Sequence, residues 1–279
     1  MNAMPDIRAE AATGPSILHP TDFGPAAASA LIHAVALSLK TQGRLTLLHI
    51  RGANEPGPTR NGLAPVSDLL VRWGLLEEEE RFADTQSRLG FSAACADVPA
   101  RSVTSGVLEH LEDHYFDLSV LSTTARTGLA YWFAGSTSRR ALRRAHGMTL
   151  FLREGNRGFV DPDTGEVKLK RVLMPVDGKI PVADAVNKLK RLIERLGVSA
   201  EMRLLHVGGP APAGCPRDIP LITAQGSVAP AIFKAAEDFR ADLIVMPTAG
   251  KRGMLGPMRS SVSTRVLEDA RWPVLSMPA

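Results

Sequence analysis

Apolar and polar positions along this chain follow two rhythms. Short, nearly continuous apolar runs fall at residues 16–20, 45–50, 91–98, 118–122 and 149–152, and again at 171–176, 202–207, 220–225, 243–246 and 274–277. Runs of this length with little alternation read as strands buried on both faces of a parallel sheet. Between them, at residues 25–41, 103–115, 137–145, 181–196, 228–240 and 262–270, apolar residues recur every three or four positions. That is the period of a helix with one buried stripe. Pro25 and Pro181 fall in a first helical turn, where a missing N–H is tolerated. Strands alternating with helices predict βαβ crossovers and an α/β, doubly wound parallel sheet.

The pattern is written twice. ILHPTDFG at residues 17–24 matches VLMPVDGK at 172–179, and LTLLHI at 45–50 matches MRLLHV at 202–207. A third block, residues 102–128, aligns without a gap to 227–253 and continues into the following helix. The offset between copies falls from 157 to 125, so the second copy lacks 32 residues between its second and third blocks. In the first copy that interval carries Leu69, Leu70, Trp73 and Leu76 close to one face and reads as one covering helix. In the second it is GGPAPAGCPRDIP, too rich in Pro and Gly for a long helix. Sheet surface there is expected to be exposed or covered by the other copy. The predicted organisation is a disordered tail over residues 1–15, a first unit at 16–155, a linker hairpin at 156–170 around DPDTGEV, and a second unit at 171–279 lacking one helix.

Composition narrows the partners. Apolar residues at 44% and charged residues at 22% suit packed cores rather than bulk disorder. The net charge of +4 is mild, and the basic residues are scattered except in two short clusters, of which RRALRR at 139–144 reads as an exposed helix face. No nucleic-acid partner is expected, because no recognition motif accompanies it. No apolar run reaches membrane-spanning length, and the N-terminus lacks a signal-peptide core. Cys95 and Cys215 form no metal pattern and fit a reducing compartment, so a cytoplasmic protein is expected.

Ligands of open α/β sheets bind beyond the carboxyl ends of the strands, where the strand order reverses. An Asp follows strand one in each copy, Asp22 and Asp177. It suits either hydrogen bonding to a ligand or capping of the next helix. A Gly- and Ser-containing loop follows strand four in each copy, at 122–138 and 247–263. Small residues there let backbone N–H groups and a helix N-terminus approach an anion, or simply form a flexible loop. Arg126 in the first copy, and Lys251, Arg252 and Arg259 in the second, could neutralise a phosphate or stay solvated. His49 and His206 close the second strands and read as histidines packed under a loop. No nucleophile is paired with a base in the sequence, and no Walker lysine motif occurs.

The ILHPTDFG opening, the LLHI strand and the D-L-x-V-x-x-T…G-S-x-x-x-x-x-L-x-x-A ending, each in order and each occurring twice, resemble the universal stress protein family. The likeness covers nearly the whole chain, as a tandem pair. The resemblance implies two Rossmann-like five-stranded parallel sheets joined through their last strands as a pseudo-dimer, with homodimerisation as a further expectation. It implies a non-catalytic stress-response role with ATP or another adenine nucleotide as ligand, bound in one half. The implied nucleotide-binding residues in the first copy are Thr21, Asp22, Ile50, Ser122, Ala125, Arg126, Gly128, Gly135 and Ser136. In the second they are Val176, Asp177, Val207, Gly250, Lys251, Gly253, Ser260 and Ser261. Nucleotide-binding members carry G-x-x-G-x9-G-[ST] after strand four. Here those glycine positions read Ser122, Ala125 and Gly135, then Pro247, Gly250 and Ser260, so each copy keeps one glycine of three. A protein-interaction module is the alternative reading, and an ATP hydrolase or adenylyl transferase the third.

Overall fold

The computed structural model describes residues 14–52, 55, 62–123, 147–156, 158–178, 180–248 and 261–278. Of the expected tail, only Gly14 and Pro15 fall among them, tied down by Gly14 N–H to Gln42 O at 3.0 Å and Arg44 N–H to Pro15 O at 2.9 Å. The helix expected at 137–145 lies outside the described residues.

Strands β1 (Ser16–Pro20), β2 (Arg44–Gly52), β3 (Ser92–Ala100), β4 (Leu118–Thr123) and β5 (Met148–Arg153) belong to the first copy. Strands β6 (Arg171–Pro175), β7 (Glu201–Val207), β8 (Leu221–Ala224), β9 (Leu243–Thr248) and β10 (Val274–Pro278) belong to the second. All ten form one sheet in the order β3-β2-β1-β4-β5-β10-β9-β6-β7-β8. Each copy therefore has the same internal order, and the two meet at β5 and β10. That central pair is antiparallel, Leu275 facing Leu150, while every other pair is parallel. The expected joining through the last strands is present, and the two five-stranded sheets are halves of one.

Helices α1 (Ala28–Thr41, after a 3-10 turn at Pro25–Ala27), α2 (Ala64–Arg72), α3 (Phe82–Leu89) and α4 (Val103–Asp113) are described in the first copy. In the second copy they are α5 (Val182–Arg195), α6 (Val228–Phe239) and α7 (Ser261–Asp269). On α5 the buried residues are Val182, Ala185, Val186, Leu189 and Ile193, one stripe at helical spacing. The alternation of side chains along each strand splits the core in two. Ile17, Leu47, Leu150, Val172, Leu204 and Leu275 pack with α1, α2 and α5 on one face. Leu18, Leu48, Phe151, Leu173, Leu205 and Val274 pack with α4, α6 and α7 on the other. Both layers run across the β5–β10 junction.

The interval expected to be one helix is two. Gly74, at φ +67°, ends α2 with its own N–H on Val71 O and the Leu75 N–H on Leu70 O, both at 2.9 Å. This is a left-handed helix stop that glycine makes without strain. The corresponding interval of the second copy is a loop that still covers its sheet: Ile219 is buried with Met202 and Leu204. Among the described residues, the large apolar side chains left exposed are Leu75, Val103 and Tyr115. None belongs to β7 or β8; the sheet there, expected to be exposed or covered by the other copy, is covered in part by this loop, with Leu221 and Ile222 of β8 half-buried.

In the segment between copies Val160 forms an antiparallel bridge with Val167. The segment is also part of the core, since Phe159, Val160, Val167 and Leu169 are all buried. His33 on α1 holds it. His33 Nε2 accepts the Phe159 N–H at 3.0 Å, so its proton sits on Nδ1 and is donated to Ser29 O at 2.7 Å. Trp73 Nε1 donates to Pro162 O at 3.1 Å.

Candidate nucleotide site

In each copy the strand order reverses between the first and fourth strands, and the Asp stands there. Asp22 is exposed. Its Oδ1 accepts the Gly24 N–H at 2.8 Å, closing a tight turn. Neither the 3-10 turn nor α1 receives a side-chain cap. Gly24 is the residue that opens the 3-10 turn, so the carboxylate braces the entry to the helix without capping a first-turn N–H. Thr21 is buried; its N–H donates to Leu48 O at 2.9 Å and its Oγ1 accepts the Phe23 N–H at 3.0 Å. Phe23 is forced into the left-handed region at φ +59°, unusual for an aromatic residue and a mark of a turn held from both sides. From β4, Ser122 Oγ donates to Ala26 O at 2.7 Å.

Thr21, Asp22 and Ser122 thus converge on one turn, residues 23–26, at the strand ends. Ile50 lies at the end of the neighbouring β2, half-buried, its side chain against Gly106 of α4 on the opposite sheet face. A crevice of about 250 Å³ opens between this turn and α2, lined by Thr21, Phe23, Gly24, Leu31, Asp68 and Arg72. Ala125, Arg126, Gly128, Gly135 and Ser136 lie outside the described residues.

Beside the turn sits a charged group that the reading of the sequence missed. Asp97 on β3 accepts from Arg51 Nε at 2.7 Å and stands 3.0 Å from His49 Nδ1, both on β2. The Phe23 ring is 5.4 Å from the His49 ring. The available signal was parity alone: Arg51, His49 and Asp97 lie on the sheet face that also carries Leu45, Leu47 and Ala93. His49 was expected to pack under a loop; it is instead only partly buried and paired with Asp97. A second missed residue is His19 on β1. It is fully buried, with Nδ1 on Val120 O at 2.9 Å, and its Nε2 has no partner among the described residues. Burial outweighs that hydrogen bond and the nearby Asp22 charge and lowers its pKa to about 4.

The second copy is built differently. Val176 replaces the Thr21 hydroxyl, and Pro247 stands where Ser122 stands. Val176 is buried, its N–H on Leu205 O at 2.8 Å, and its carbonyl accepts from His206 Nδ1 at 3.0 Å. His206 is buried, as expected. Asp177 is exposed after β6, and Val207 closes β7 half-buried. Ser261 opens α7, while Gly250, Lys251, Gly253 and Ser260 lie outside the described residues.

The comparisons with known proteins agree with this architecture. The model of the universal stress protein family matches residues 15–153 and 210–278. A universal stress protein of Methanocaldococcus jannaschii is 31% identical over 114 residues, which is 41% of this chain and 54% of that protein. The match therefore spans about half the length of that curated relative. A solved universal stress protein of Archaeoglobus fulgidus is similar with a TM-score of 0.55 at 16% identity, over 93% of this chain and 95% of that one. A functionally unknown protein of Pseudomonas aeruginosa PAO1 gives 0.58 at 16%, over 96% and 94%. The cytoplasmic domain of a prokaryotic cation chloride cotransporter gives 0.50 at 11%, over 95% and 96%. At such identities the structural likenesses show fold alone, whereas the family model matches well over half of the chain. The chain belongs to the universal stress protein family, with two family segments in tandem.

Proposed function

We propose that this protein is a non-catalytic, cytoplasmic stress-response protein that binds an adenine nucleotide, ATP foremost, in its first half. The observation that carries the reading is the placement of Asp22. It is exposed at the switch point and caps no first-turn N–H, and its turn is gripped by Ser122. Such a carboxylate can accept hydrogen bonds from ribose hydroxyls or an adenine amino group. Replacement of two hydroxyl-bearing positions by Val176 and Pro247 favours the first half over the second. Proline also withholds a backbone donor there.

Calorimetric titration of ATP tests this. The wild type is expected to give saturable heat at one site per chain. Asp22→Ala is expected to weaken binding at least tenfold, which corresponds to about 1.4 kcal/mol. Asp177→Ala should leave it unchanged. Absence of heat in the wild type, or equal affinity in Asp22→Ala, overturns the assignment.

A further inference from the structure

A second cavity, of about 180 Å³, lies at the other end of the first-copy strands, in the seam between the two copies. Its wall includes Leu37, Leu118 and Leu150 from the first copy and Leu189, Leu192 and Leu275 from the second. An apolar cavity of about 150 Å³ is large enough to hold a benzene ring, so this one has room for a ring-sized body.

Its polar rim is asymmetric. On the first-copy side, Asp117 is already committed, with Oδ2 accepting Ser16 N–H at 2.8 Å and Ser16 Oγ–H at 2.9 Å. On the second-copy side, Lys188 and Arg195 stand two turns apart on one face of α5. Lys188 is half-buried; its ammonium donates to the Pro278 carbonyl, and it forms no ion pair with a carboxylate among the described residues. Desolvation, with Arg191 nearby, lowers its pKa. A desolvated cation whose partner among the described residues is a neutral carbonyl favours an anionic partner.

We propose that this seam cavity binds a small monocarboxylate with a ring-sized apolar body, benzoate in size. The ring lies among the leucines and the carboxylate meets Lys188, with Arg195 at the mouth. The site draws walls from both copies, so occupancy would couple them. It is independent of the nucleotide crevice at the opposite strand ends.

Titration with benzoate, followed by methyl NMR, tests the proposal, with benzyl alcohol as the uncharged counterpart. Saturable shifts are expected at Leu150, Leu189 and Leu275, with benzoate binding more tightly than the alcohol. Lys188→Met should weaken benzoate at least fivefold and leave benzyl alcohol unchanged. Leu189→Phe should fill the cavity and abolish both; Leu192→Phe, at a less buried wall position, serves the same purpose if the first variant does not fold. The proposal is overturned by an absence of saturable shifts, or by shifts confined to other methyls. Equal binding of benzoate and benzyl alcohol, or benzoate affinity unaltered in Lys188→Met, also overturns it.

Discussion

Asp117 and Asp242 occupy equivalent places in the two copies and perform the same task. Asp117 Oδ2 accepts two hydrogen bonds from Ser16, and Asp242 Oδ2 accepts the N–H groups of Lys170 and Arg171 at 2.9 and 2.8 Å. Each pins the start of the central strand to the strand beside it. Asp242→Ala should therefore destabilise the protein by about 2 kcal/mol, the scale of hydrogen bonds to a charged group, read as a lower denaturant midpoint. Repetition does not always preserve a device. Ser102 and Ser105 form a reciprocal cap on α4, whereas Ser227 opens α6 without one. The residue three positions on is Pro230, which has no N–H to donate. Three buried histidines contribute to the pH response between 6.5 and 4. His19, His33 and His110 are each held near pKa 4 instead of 6.5, with burial the largest cause. The unfolded chain takes up these protons as pH falls through 6.5, and the fold resists until about 4. Stability is then full above pH 6.5 and declines toward pH 4. His19→Met, which installs the residue found at the equivalent Met174, should flatten that decline by about one proton. An unchanged slope in urea melts across this range would refute the account of His19.

At the scale of elements, strands were the most legible feature, because their apolar runs need both sheet faces covered and admit few alternatives. The covering helix of the first copy was misread at one point. Trp73 and Leu76 continue the apolar stripe of α2, but Gly74 lies between them in a left-handed conformation and stops it. Periodicity does not register a stop signal placed inside the stripe. Gly74→Ala meets no neighbouring atom within 4 Å, so it should cost only the left-handed backbone penalty, about 1 kcal/mol. Gly158→Ala is the contrasting case. It has φ +68°, and an added Cβ would lie 2.3 Å from the His33 ring. That substitution should destabilise by about 3 kcal/mol or more and release the segment joining the copies, seen as faster hydrogen exchange at the Phe159 amide. Equal melting points for the two glycine variants would refute this distinction. Of the candidate site, Asp22 was legible as a strand-end Asp, but its recurrence in both copies did not separate a ligand role from a cap. The turn at residues 23–26 was not read, because it depends on contacts from β4. Asp97, Arg51 and His19 were not legible, because their significance depends on which strands become neighbours.

Across the whole molecule, the two core layers and the β5–β10 pair make one body from two repeats. The copies share a framework and differ where chemistry would occur: Thr21 against Val176, and Ser122 against Pro247. Such divergence fits a division of labour in which one half binds a nucleotide and the other completes the sheet and its cover. The most direct measurement is a crystal structure of the protein grown with saturating ATP. The account predicts nucleotide density at the carboxyl ends of β1 and β4, within hydrogen-bonding distance of Asp22, and none beside Asp177. Density beside Asp177 alone, or none in either half at a concentration that saturates the solution titration, would contradict it.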